Sequence, residues 1–340
     1  MKQGLSVIVC CYNSAGRLPQ TLKHLLAQKT TGLSWEIIVV DNASTDNTTE
    51  TANNILSAAT TADKYKIVNE PEPGLSSARK KGYLTAQYDL LLFCDDDNWM
   101  DENYFELSNS IMRSNPEIGI LGGKGEAVFE KSKPAWFDTY QLNFAVGAQS
   151  NSDEPLTIVK TVYGAGFVVR MELFRKFDAI EFESLLSDRK GNQLISGGDT
   201  ETCCVARMLG YKIAYSPKLK FKHLMTEGRM NWAYLKKLYF GFGRSRMYIQ
   251  AYERIETSDE LPGKNLNYPL WLDKYINKMK ELRHFLPGIL FKLNREGDDE
   301  VLRYEALRGE LFELKVLKNN YAEIFKKIVA TKQKAAKLKN

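Results

Sequence analysis

The sequence predicts an α/β protein, a three-layer sandwich with a mostly parallel central sheet, followed by a helical C-terminal extension. Three observations predict it. The first half alternates short β-branched runs with helical periodicities, the order expected of repeated strand–helix units. Its strand segments are continuous apolar runs, which calls for burial on both faces. From residue 231 onward only the helical period recurs. With 340 residues the chain is long enough for one large core and an appended unit.

The elements follow in order. Residues 5–10 (LSVIVC) form the first strand, turned at Asn13 and Ser14 into a helix over 18–27. Residues 36–40 (EIIVV) are the second strand, ending at Asp41; Thr45 or Asp46 caps a helix running to about 57. A third strand at 66–68, a helix at 76–84 and a fourth strand at 89–94 (DLLLFC) lead to Asp95, Asp96 and Asp97. A helix over 102–114, a strand over 118–121 and a glycine-rich turn come next, then an irregular stretch over 124–160. Strand 166–170, helix 171–177, a loop through Gly197 and Gly198, helix 199–209, strand 212–215 and a short segment at 221–223 complete residues 1–225 as one domain. Residues 226–340 form the second, with helix breaks near Leu261-Pro262-Gly263 and Pro287-Gly288.

Composition excludes several classes. At 44% hydrophobic and 26% charged, without low-complexity tracts, the chain is neither disordered nor fibrous. No apolar run approaches the roughly 18 residues of a spanning helix. No basic-then-apolar signal region precedes the first strand, so the expected location is cytoplasmic. The five cysteines include no CxxC and histidine occurs three times, against a disulfide framework or a zinc ribbon. Charge is uneven: residues 212–340 hold 27 Lys and Arg against 15 Asp and Glu, a balance of +12, leaving −7 before them. An acidic half that handles a phosphate compound needs a metal ion as intermediary; a basic half suits an anionic partner or a solvated helical face.

In open parallel sheets, ligands bind beyond the carboxyl ends of the strands. Three polar clusters fall there: Tyr12 and Asn13, Asp41 and Asn42, and the triplet Asp95, Asp96 and Asp97. Carboxylates two residues apart at a strand end point the same way and can share a hard cation, which can in turn hold a diphosphate. A helix-capping cluster is the alternative reading. An EF-hand is disfavoured, because Trp99 and Met100 stand where a ligand and a glycine are needed. There is no P-loop, and neither Gly122-Gly123-Lys124-Gly125 nor Gly164-Ala165-Gly166 makes a dinucleotide fingerprint.

Taken together and in this order, LSVIVCCYN, EIIVVDNASTDNT, NEPEPGLSSARKKG, LLFCDDDNWMD, YGAGFVVR and GGDTETCCVARMLGYKIAYSP…FKH resemble the family 2 glycosyltransferases of the GT-A fold over about residues 4–225. The resemblance implies an inverting, metal-dependent sugar transfer from a nucleoside diphosphate sugar, with Mn2+ or Mg2+, to a hydroxyl of a glycan or lipid-linked acceptor. It places Tyr12 and Asp41 at the nucleoside, Asn13 in the donor site, and Arg79 on the donor-site helix. Asp95 and Asp96 fall in the donor site, with Asp97, Asp95 and His223 at the metal. Asp199 matches the general base. The sequence departs from the family pattern at Asn42, where a second Asp is frequent, at Lys80, where Asn is common, and at Gly198, where a Glu usually precedes the base.

The residue types suit that chemistry. A diphosphate leaves as an anion, so a cation on Asp97 stabilises charge that grows in the transition state. An acceptor hydroxyl needs a carboxylate to take its proton, a role worth roughly 10²–10⁴-fold. Asp199 at a helix start is also placed to cap that helix. Gly198 keeps a rival reading open, a non-catalytic nucleotide-sugar-binding or scaffold protein. Beyond the resemblance, Trp232, Tyr234, Leu235, Leu238, Tyr239 and Phe242 interleave with Lys236, Lys237, Arg244 and Arg246 at helical spacing. That stripe is either a packed helix face or a basic surface for anionic lipid on the inner face of the plasma membrane. A nucleic-acid partner is not expected, since no recognition module is present.

Overall fold

The computed structural model describes residues 1–186, 197–257, 271–289, 291–292 and 295–338. In chain order the elements are β1 (Lys2–Cys11), α1 (Leu18–Leu26), β2 (Trp35–Asn42), α2 (Thr48–Ala59), β3 (Tyr65–Glu70), α3 (Leu75–Thr85) and β4 (Tyr88–Asp95). These are followed by β5 (Asn98–Met100), α4 (Tyr104–Ser114), β6 (Ile118–Phe129), α5 (Phe137–Tyr140), β7 (Thr157–Val159), β8 (Val168–Arg170) and α6 (Met171–Ala179). The chain closes with α7 (Gly198–Met208), β9 (Lys212–Met225), α8 (Trp232–Thr257), α9 (Trp271–Ile289), α10 (Asp299–Val316) and α11 (Tyr321–Lys337).

The chain divides into two compact units. The first comprises Met1–Glu130, Tyr140–Ala179 and Gly210–Met225; the second comprises Lys131–Thr139, Ile180–Leu209 and Thr226–Asn340.

All nine described strands lie in the first unit, in one sheet ordered β3-β2-β1-β4-β8-β6-β9-β5, with β7 beside β9. The β3-β2-β1-β4 half is parallel, as the continuous apolar runs require. Val7, Val9, Ile37, Val39, Leu90 and Leu92 are fully enclosed there, each such side chain contributing about 1.5–3 kcal/mol by leaving water. Antiparallel β8 joins β4 to β6, while β6 and β9 run parallel. This is the three-layer α/β architecture of the GT-A type.

Three sequence expectations need correction here. The glycine-rich stretch is strand, not turn: Gly122, Gly123 and Gly125 lie inside β6 because side chains there would collide with Val162, with Leu219 and Tyr104, and with the Ala145 carbonyl. Segments 212–215 and 221–223 are one strand, β9, irregular opposite Gly122 and Lys124 where Pro217 breaks the ladder. The short strand β5 follows the aspartate triplet unannounced, since three residues carry no readable period.

In the second unit, α8 and α10 cross closely. A Cβ on Gly243 would strike the Ala306 carbonyl, and one on Gly309 the Phe240 carbonyl, so the two glycines let the backbones meet. Trp232, Leu235 and Leu238 are buried, Arg244 pairs with Glu313 at 2.7 Å, and Arg246 lies 3.5 Å from Glu310. The aromatic stripe of α8 is thus a packed face. Lys332 of α11 donates to the Ile255 carbonyl at 2.7 Å, neutralising the negative end of α8. The break expected near Pro287-Gly288 is there: α9 ends at Ile289, with Pro287 in its last turn, and the next helix begins at Asp299. The break expected near Leu261-Pro262-Gly263 lies outside the described residues, as does most of the loop before Gly197. Among the described residues, no helix is long and apolar enough to cross a membrane.

Candidate active site

Strand register assembles one rim of the first unit. Cys11 pairs with Asp41 across β1 and β2, and Cys10 with Asp95 across β1 and β4, so Tyr12, Asp41 and the aspartate triplet leave the sheet at the same end. Tyr12 stands 58% exposed there, a ring open for stacking. Asp41 is held: its carboxylate accepts the Ser44 amide at 3.1 Å and the Thr49 hydroxyl at 2.5 Å.

Asn13 takes a left-handed φ of 49°, a conformation Asn tolerates better than most residues. Its amide donates to Ser44 Oγ at 3.0 Å and its Oδ1 accepts the Thr45 amide at 2.8 Å. Asn13 therefore stitches the loop after β1 to the loop after β2. Asn42 makes a comparable tie, donating Nδ2 to the carbonyls of Glu70 at 3.1 Å and Glu72 at 2.6 Å while Oδ1 accepts the Gly74 amide at 2.8 Å. The family's frequent Asp could not donate those two bonds, which gives the departure at Asn42 a physical reason.

Gly74, with φ of 144°, caps α3, and α3 carries Arg79. The Arg79 guanidinium lies over two touching rings, 5.7 Å from Phe93 and 5.3 Å from Phe167, contacts that hold it by cation–π attraction. Cys10, close by, has its thiol pushed up to about 12 by burial, so it stays protonated.

The three adjacent aspartates divide their roles. Asp96 turns toward α1, accepting the Ser14 hydroxyl and a fork from Arg17, with Nη2 at 2.7 Å and Nε at 3.4 Å, while its carbonyl accepts Thr21 Oγ1 at 2.7 Å. Burial raises its pKa, the neighbouring Asp97 charge adds to that, and Arg17 opposes both. Expected as a donor contact, Asp96 is engaged through these bonds with α1 and the loop leading into it.

Asp97 faces β9 instead. Antiparallel pairing sets Asn98 of β5 opposite His223 of β9, which brings His223 Nε2 to 3.4 Å from Asp97 Oδ1. Asn98 Nδ2 donates to the same oxygen at 3.1 Å. His223 is 6% exposed, and its Nδ1 is buried without a hydrogen-bond partner among the described residues. Among those residues no three acid, histidine or cysteine side chains gather closely enough to hold a metal. Asp97 and His223 are the pair from which an ion could be held here, one carboxylate oxygen and one imidazole nitrogen, its remaining ligands coming from water and substrate phosphate.

Asp199 belongs to the second unit, in the first turn of α7 and partly exposed. Two residues on, Glu201 is 1% exposed and accepts Leu185 N and Tyr252 Oη, each at 2.8 Å, Leu186 N at 3.3 Å, and the Ser184 hydroxyl. Burial raises its pKa against the pull of those donors. Asn98, Ser14, Arg17 and Glu201 were missed by sequence reading, and Asn42 was marked only as a strand-end residue and a departure from the family pattern. Only their positions beside site residues could have marked them.

The comparisons agree with this architecture. Residues 6–177 match the family described as glycosyl transferase family 2, and the chain belongs to that family, which makes it a glycosyltransferase by class. It is 21% identical over 250 residues to a glucosyl-dolichyl phosphate glucuronosyltransferase of Haloferax volcanii, covering 72% of this chain and 77% of that one. It is 23% identical over 217 residues to a poly-beta-1,6-N-acetyl-D-glucosamine synthase of Staphylococcus aureus, covering 63% of this chain and 48% of that one; the chain spans about half of that relative. Residues 1–349 of S. aureus TarS, solved in complex with UDP-GlcNAc, superpose with a TM-score of 0.54 at 16% identity over 99% of this chain and 92% of that one. That likeness concerns the fold.

Proposed function

We propose that the protein transfers a sugar, with inversion, from a nucleoside diphosphate sugar to a hydroxyl of a glycan or lipid-linked acceptor, Asp199 serving as general base. The observation that carries this reading is the register placing Tyr12, Asp41 and the aspartate triplet at one strand rim, with Asp97 against His223. The TarS structure with UDP-GlcNAc and the named relatives support a sugar nucleotide donor and a surface-glycan or lipid-linked product.

In this reading Tyr12 stacks on the base, and Asp41 accepts from it or from the ribose. Arg79 faces the diphosphate, and Asp97, Asp95 and His223 are the residues that would hold Mn2+ or Mg2+. When bound, that ion would offset the charge left on the diphosphate. As the acceptor oxygen bonds to the anomeric carbon, its proton passes to the Asp199 carboxylate. The bond from that carbon to the β-phosphate oxygen breaks, and the nucleoside diphosphate departs with the electron pair. One displacement inverts the centre.

A peripheral contact with anionic lipid at the cytoplasmic face belongs to the same reading. Its carrier is α9 rather than α8: Leu272, Ile276 and Leu286 are exposed along one stripe, beside exposed Lys280 and Arg283. Sedimentation with phosphatidylserine vesicles that Lys280→Glu with Arg283→Glu abolishes is the expected result; wild type left in the supernatant removes this contact.

The test of the main reading is turnover of nucleoside diphosphate sugars with Mn2+, UDP-GlcNAc first, wild type against Asp199→Asn. A loss of about 10²-fold or more with UDP binding intact is expected. Equal, absent turnover in both across the donor panel, with UDP still bound, would favour the non-catalytic binding protein.

A further inference from the structure

We propose that Glu201 is a positioning residue for Asp199, its buried carboxylate gripping the back of the helical turn whose front presents the base. The inference rests on the reading of Asp199 as base and adds to it the means by which that carboxylate is held.

Successive residues of an α-helix turn by about 100°, so residues two apart point roughly 200° from each other. Asp199 and Glu201 therefore leave the first turn of α7 on nearly opposite sides. The Glu201 side is enclosed. Its Oε1 accepts Leu185 N and Tyr252 Oη, each at 2.8 Å, and its Oε2 accepts the Ser184 hydroxyl and Leu186 N, the latter at 3.3 Å. A carboxylate has about four lone-pair sites, and these four donors fill them. They come from two separate places, the segment 184–186 and Tyr252 near the C-terminal end of α8. One side chain thus fixes α7 to both.

The turn starts on glycine. Gly197, with φ of 131°, precedes α7 without a side-chain cap, and the Glu201 amide donates to the Gly197 carbonyl at 2.8 Å. A helix start built on two glycines is intrinsically soft. Glu201 supplies from the fourth helical position the rigidity that Gly197 and Gly198 do not. A charged acceptor with several donors strengthens each bond, and its full enclosure makes every lost donor costly. A base must be held within about 0.5 Å of its productive position at hydrogen-bond distance from the hydroxyl, and a displacement of about 1 Å can cost about 10²-fold in rate.

The experiment uses the full chain and three variants, Glu201→Ala, Glu201→Gln and Tyr252→Phe, with Asp199→Asn as comparator. Steady-state turnover of the donor identified above gives kcat and KM, and hydrogen exchange reads the amides of 184–186 and 197–201 against those of β1 and β4. Expected is a fall in kcat of about 10- to 100-fold for Glu201→Ala, KM within about twofold, and faster exchange confined to the two segments. Glu201→Gln, which keeps the shape, recovers part of the loss. Tyr252→Phe, which removes one donor and leaves the others in place, loses a few-fold and remains the test should Glu201→Ala fail to fold. Asp199→Asn loses turnover with unchanged exchange at 184–186. Wild-type kcat in both Glu201→Ala and Tyr252→Phe overturns the inference, as does a loss carried by KM with exchange rising throughout the protein. An inactive wild type instead counts against the function of Asp199, so the two failures are told apart.

Discussion

The side chain of Asn42 accepts the amide proton of Gly74 at 2.8 Å, closing the end of β2 onto the first turn of the helix that carries Arg79. Because the other end of the same amide donates to two carbonyls, Asn42→Asp sets a carboxylate against the oxygens of Glu70 and Glu72. The loss should be about 1–3 kcal/mol. Thermal unfolding should show a Tm lowered by a few degrees, and calorimetry a weaker grip on UDP.

His223 and Asp97 face each other across β5 and β9. If they hold the ion, His223→Ala and Asp97→Asn should each remove at least about tenfold of the gain in UDP affinity that Mn2+ brings. Affinity measured in EDTA should change by less than about twofold. Titrations of both variants with and without Mn2+ decide it, and an unchanged metal dependence in both removes the pair from the site.

The contact of Gly243 and Gly309 with facing backbone leaves no room for a methyl group. Either glycine changed to alanine should force α8 and α10 apart and cost about 1–3 kcal/mol. Because the strain comes from one crossing, the double variant should lose less than the sum of the two single losses. Denaturant unfolding of the three variants measures that coupling.

Arg113 grips Asp89 through both guanidinium nitrogens, and the Gly4 amide adds a bond at 3.0 Å. Burial works to raise the Asp89 pKa, yet the Arg113 hydrogen bonds and the Gly4 amide outweigh it and hold the carboxyl below its usual range. The folded value being depressed, this stabilisation is present above the unfolded carboxylate pKa and is lost as pH falls through the folded one. Asp89→Asn should melt below wild type near pH 7, and the gap should close as the medium is acidified past that point.

Much of this architecture was legible beforehand because parallel strands buried on both faces leave continuous apolar runs. Residues 36–40 and 89–94 needed no further clue. The place of Asp41 and Asp95 at one strand end was equally readable, since both close a continuous apolar run. The shape around them was not. Nothing in Asn98-Trp99-Met100 announces a strand, yet β5 is what carries the triplet to His223. The glycines of β6 read as a turn because loop punctuation and close packing use the same residue, and only the positions of Val162, Tyr104 and Ala145 distinguish them. Asp96 looked like its neighbours until Arg17 and Ser14, some eighty residues earlier, turned it inward. Glu201 was invisible for a similar reason: its significance lies in Tyr252, far along the chain.

The way the polypeptide alternates between its two units, through Lys131–Thr139 and Ile180–Leu209 as well as the final stretch, has a bearing on how the protein can be taken apart. A cut after Met225 yields an N-terminal piece carrying α7 without the helices it rests on, and a C-terminal piece lacking Glu201 and Arg207. The first piece holds the whole of the first unit but only a remnant of the second, and the other piece holds an incomplete second unit, so the C-terminal half should be insoluble when expressed alone, and mixing the two during refolding is the route by which they could complement.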